Sequence, residues 1–61
     1  MEQLPSDPVI LLGYLNMKLR DEFSSPEELC RRLDIDQDSF DAYIAERNIS
    51  YAPESGRFVI D

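Results

Sequence analysis

Sixty-one residues, 43% apolar and 31% charged, describe one small domain with a net charge of −7. Thirteen acids against six bases oppose a nucleic-acid role, which needs lysine and arginine to displace counterions from phosphate. One cysteine and no histidine exclude an internal disulfide and a conventional zinc site, and no run approaches the ~18 apolar residues of a membrane span.

The acidity is uneven. Residues 1–33 carry −2, whereas residues 34–61 carry −5. A lone thiol, Cys30, fits a reducing compartment, and Met1–Pro5 has no basic stretch leading into an apolar run. A cytoplasmic chain without a secretory leader or membrane contact is therefore expected. A domain this short buries only about 60% of its unfolded surface, so its stability is marginal unless a partner supplements it.

The first element begins at Asp7-Pro8. Asp7 suits an N-cap and Pro8 the first helical position, where its missing N–H is not needed. A helix is predicted over about 8–22, with Leu11, Leu12, Leu15 and Leu19 on its core face and Phe23 just beyond. Ile10, Tyr14 and Met17 form a second apolar stripe roughly opposite, with Gly13 beside it.

Ser25-Pro26-Glu27-Glu28 is a capping box: the Ser25 hydroxyl bonds forward to an amide while Glu28 reaches back. It opens a helix over 26–33, with Leu29 and Leu33 inward and Cys30 at the margin. Asp34-Ile35-Asp36 is a connector with a buried isoleucine. Asp36 caps a third helix, about 37–47, with Phe40, Tyr43, Ile44 and the Arg47 stem inside. The tail then changes period. Strands over 49–52 and 57–60 flank Pro53-Glu54-Ser55-Gly56, with Tyr51 opposite Phe58 and Ile49 opposite Ile60 on one face. The expected class is mainly α, a small α+β fold: a three-helix, helix-turn-helix-like single domain (1–61) with a C-terminal β-hairpin.

Several residues carry a resemblance. Leu4-Pro5-x-Asp7-Pro8-Val9 with Leu12, then Asn16-x-Lys18-Leu19-Arg20-Asp21, then Leu29-Cys30 and Leu33-Asp34-Ile35, resemble a family of short bacterial proteins of unknown function. The similarity spans nearly the whole chain and includes the Tyr51 to Phe58-Val59 tail. It implies a small bacterial cytoplasmic domain and brings no activity with it. The topology is also similar to winged-helix domains, in shape alone.

The motifs point away from chemistry. In a helix-turn-helix reader the third helix would face DNA, yet its outer side offers Asp38, Asp41 and Glu46 and no cation. The run from Asp34 to Asp38 begins like a calcium loop, but Ser39 and Ala45 stand where glycine and a bidentate glutamate are needed. Helix capping accounts for those carboxylates. Cys30 lies past the first turn, the chain has no histidine, and the adjacent Arg31 points elsewhere on the helix, so a core role is expected. No catalytic, metal or cofactor site is expected.

The second stripe of helix one has two readings. Either Tyr51 and Phe58 of the hairpin cover it as simple core, or it meets a homodimer partner or another protein. In the second case Ile10, Tyr14 and Met17 are the anchors, with Lys18 and Arg20 as rim charges. A non-enzymatic protein–protein interaction module is the function expected. The alternative is a regulatory nucleic-acid module in which Arg31, Arg32 and Arg57 touch phosphate.

Overall fold

The computed structural model describes residues 4–61. Residues 1–3, part of the segment read for a leader, lie outside them. Three helices, α1 (Pro8–Asp21), α2 (Pro26–Arg32) and α3 (Gln37–Ala45), precede a hairpin of β1 (Ile49–Ala52) and β2 (Arg57–Ile60). The small α+β class and the helix order agree with the sequence reading.

Each helix starts at a side-chain cap. Asp7 Oδ1 accepts from the Val9 and Ile10 amides at 2.9 and 3.1 Å, and Asp36 Oδ2 accepts from the Ser39 amide at 3.1 Å. Ser25 Oγ accepts from the Glu28 amide at 3.2 Å. Glu28 reaches back one residue further than expected: its Oε1 accepts from the Ser24 amide at 2.7 Å and the Ser24 hydroxyl at 3.0 Å. Those bonds hold its carboxyl below the usual glutamate range.

The second and third helices end where the backbone turns left-handed, whereas α1 ends at Glu22, whose φ is −129°. Asp34 (φ 57°) follows α2 and Asn48 (φ 60°) follows α3; short polar side chains tolerate that region best. The third helix stops at Ala45, short of the predicted 47. Arg47 and Asn48 instead donate to the carbonyls of Ile44 and Ala45, three residues back, tightening the last turn.

The hairpin adopts the expected register, Tyr51 opposite Phe58 and Ile49 opposite Ile60. Gly56 takes the positive φ (68°) that closes its turn. The core gathers Leu11, Leu15, Leu29, Phe40 and Phe58, with Phe23, Cys30, Ile44 and Ile49 around them. Phe58 meets Phe40 and Tyr51 edge-on, at ring-centre distances of 6.1 and 5.4 Å. Ile35, expected inside, is half-buried.

The N-terminal segment is fastened by Tyr43 of α3 and by Arg47 just beyond that helix, which the sequence did not suggest. Leu4 is buried, the Tyr43 hydroxyl donates to the Pro5 carbonyl at 2.9 Å, and Arg47 Nε donates to the Ser6 carbonyl at 2.9 Å. The Arg47 guanidinium also lies 3.8 Å from the Tyr43 ring centre and donates to the Tyr43 carbonyl.

Candidate protein-interaction surface

The hairpin reaches α1 through a backbone contact. Asn16 Nδ2 donates to the Phe58 carbonyl at 3.1 Å, and the Phe58 amide donates to Asn16 Oδ1 at 2.8 Å. One side-chain amide thus takes the place of a neighbouring strand. Asp61 donates to the Asn48 carbonyl, so by strand alternation the amide and carbonyl of Phe58 point outward from the hairpin. They would otherwise be orphaned at an edge beside the core.

This docking decides which side of α1 is covered. Phe58 goes into the main core against Phe40, so the second stripe of α1 receives no lid from it. Ile10 and Met17 are 61% and 43% exposed, and the adjacent Val9 is 73% exposed. Tyr14 differs from them. It stands about 60° from Leu11 around the helix, and its half-buried ring packs against the core. Its other side carries the Lys18 ammonium, 5.5 Å from the ring centre.

The two expected rim cations also separate. Lys18 is tied to Glu22 at 2.6 Å, which raises its pKa, and its side chain is 20% exposed. Arg20 is 78% exposed and, among the described residues, pairs only with its neighbour Asp21, Nε to Oδ1 at 3.0 Å. Beside it lies an open groove of about 490 Å³ between α1 and the hairpin turn. Gly13, Asn16, Met17 and Arg20 line it from the helix, and Gly56 and Arg57 from the turn. The Arg57 side chain makes no hydrogen bond or ion pair among the described residues. Beyond its chain neighbours and its own helix backbone, a β-carbon on Gly13 would meet nothing within 4 Å.

The other candidates have structural roles. Asp36 caps α3 and Asp34 ends α2, so the acidic run belongs to helix boundaries. Among the described residues no three metal-binding side chains converge. Cys30 is buried, and burial, helped by Asp41, Glu27 and Asp36, pushes its thiol up to about 11. At neutral pH such a thiol is almost wholly protonated and a poor nucleophile. The outer side of α3 exposes Asp38, Asp41 and Glu46, as its sequence indicated.

A family model described as Domain of unknown function (DUF4250) matches residues 5–58. The chain belongs to that family. The match runs from the Pro5 held by Tyr43 to the Phe58 held by Asn16, so it spans all three helices and the hairpin turn. No curated protein and no solved structure matches the chain. Among the described residues no helix is long and apolar enough to cross a membrane.

The signal for Asn16 was present in the sequence as an amide inside an otherwise amphipathic helix. Nothing in the spacing of residues pointed to the groove, because it joins residues from the helix and the hairpin turn.

Proposed function

We propose that the chain works through protein–protein contact, without catalysis of its own, using the outer face of α1. The observation that carries this reading is the exposure of Val9, Ile10 and Met17 on one helix beside an open groove. Exposed apolar side chains on one helix beside a groove with polar lining are the kind of surface a protein partner covers. In a chain of net charge −7, both charged residues lining that groove are arginines, Arg20 and Arg57. Ile10 and Met17 serve as anchors and Arg20 as the accessible rim charge. Tyr14 supports them from the core side, and Lys18 is held by Glu22.

The experiment is comparative capture from the source cells. Tagged protein should retain specific polypeptides that are lost with the double variant Ile10→Asp/Met17→Asp, while the far-ultraviolet circular dichroism of the two stays the same. Identical capture by both forms would remove α1 as the contact surface.

The free Arg57 guanidinium favours a second reading, phosphate contact together with Arg31 and Arg32. The exposed carboxylates of α3 oppose it electrostatically. Absence of binding to random duplex DNA at low salt would dispose of it.

A further inference from the structure

We propose that the outer face of α1 is occupied by the same face of a second copy of this chain, with the two helices antiparallel and crossing at Gly13. The inference rests on the protein-contact reading above and names the partner.

The face is self-complementary about Gly13. A two-fold axis there sets Met17 of one copy against Val9 of the other, Asn16 against Ile10, and Arg20 against Ser6. The N-terminal half of α1 carries protruding apolar side chains, Val9 and Ile10, at 73% and 61% exposure. The C-terminal half borders the groove of about 490 Å³, with Met17 on its edge. An antiparallel pair therefore seats the Val9–Ile10 projection of each copy in the groove of the other. Both contacts are satisfied by one symmetric, closed arrangement.

Glycine at the crossing point has a reason in such a pair. It is disfavoured inside a helix, and apart from its chain neighbours and the surrounding helix backbone nothing lies within 4 Å of where its β-carbon would stand. The protomer's own packing therefore does not require glycine at 13. A missing side chain at a helix crossing lets the two axes approach more closely than the usual 8–10 Å.

The charges agree with the antiparallel sense. The crossing brings Arg20 and the neighbouring Arg57 of one copy toward Asp7 of the other. Asp7 spends only Oδ1 on its cap, leaving Oδ2 without a partner among the described residues. A parallel pair would instead oppose Arg20 to Arg20. Antiparallel helices also set the negative C-terminal end of one beside the positive N-terminal end of the other.

The seam is short, about 21 Å for the 14 residues of α1. It lies at the small end of specific interfaces, so a dissociation constant on the order of 10–100 μM is expected.

Sedimentation equilibrium from 5 μM to 1 mM tests the proposal. The native chain should pass from monomer to dimer across that range. Gly13→Gln should raise the melting temperature of the dilute protein by roughly 3 °C, since glutamine favours helix. It should also weaken dimerisation at least tenfold. Under mild oxidation Gly13→Cys should form an intermolecular disulfide readily and Arg20→Cys should not, with the buried Cys30 remaining out of reach. A chain monomeric at 1 mM, dimerisation unchanged by Gly13→Gln, or equal cross-linking of both cysteine variants would overturn it. If the chain is monomeric but capture of another protein still depends on Ile10 and Met17, only the second-copy partner falls. If that dependence is absent as well, the contact reading falls with it.

Discussion

Replacing Asn16 by alanine should cost this domain a large part of its stability. The side chain supplies a donor and an acceptor to Phe58, at 3.1 and 2.8 Å. Each bond contributes about 1 kcal/mol net, so Asn16→Ala should lose about 2 kcal/mol, and more if the stranded Phe58 amide stays dry. A chain of 61 residues has about 3–9 kcal/mol in total. The melting temperature should therefore fall by about 8–16 °C. Thermal melts followed by circular dichroism give the loss, and hydrogen exchange at the Phe58 amide shows where it arises. Asn16→Asp sharpens the test. Its carboxylate keeps the acceptor for the Phe58 amide but faces the Phe58 carbonyl with no proton to donate. Protonation restores the donor, so the introduced carboxyl should have a raised pKa and this variant should gain stability, relative to the native chain, as pH falls. A loss below 0.5 kcal/mol in Asn16→Ala, with Phe58 exchange unaltered, would refute the amide bridge as the anchor of the hairpin.

Three further outcomes are expected. Tyr43→Phe should cost about 1 kcal/mol by removing the bond to the Pro5 carbonyl, and Arg47→Gln a similar amount. Urea titrations of the single and double variants should show them to be non-additive, because both side chains hold the same Leu4–Ser6 segment. Cys30, with its pKa pushed up to about 11, should react with a thiol reagent at pH 7.5 only as fast as the chain opens. Rapid labelling of the folded protein would contradict its burial. Glu28 has a depressed pKa, so its contribution is present above the ordinary value of 4.5 and lost as pH falls through the folded value. The stability difference between the native chain and Glu28→Gln should be full at pH 6 and narrow below pH 4.5, as read by melts across that range.

The outer face of α1 shows how the fold limits function. A two-stranded hairpin has one apolar face, and Phe58 commits that face to Phe40 on the far side of the core. Ile10 and Met17 are left uncovered as a consequence. The same commitment sets the hairpin turn beside Gly13 and Met17, which creates the groove. Exposure and concavity thus have a common cause.

Much of the local architecture was legible in the residues themselves. Asp7, Ser25 and Asp36 mark the helix starts because a cap needs only a short acceptor side chain and the amides two or three residues on. The hairpin register follows from pairing Tyr51 with Phe58, since a slip of one residue would turn the apolar face outward. These are short-range rules, and sequence order alone satisfies them. Tertiary structure decided the rest. Asn16 with Phe58, Tyr43 with Pro5 and Arg47 with Ser6 each join positions about forty residues apart, and all three contacts use a backbone carbonyl, which every residue possesses. A side chain that recognises backbone leaves no complementary residue type to find in the sequence. Periodicity likewise showed that α1 has two apolar sides, but only packing could choose between them, because the core of this small domain covers one side and leaves the other to solvent or a partner.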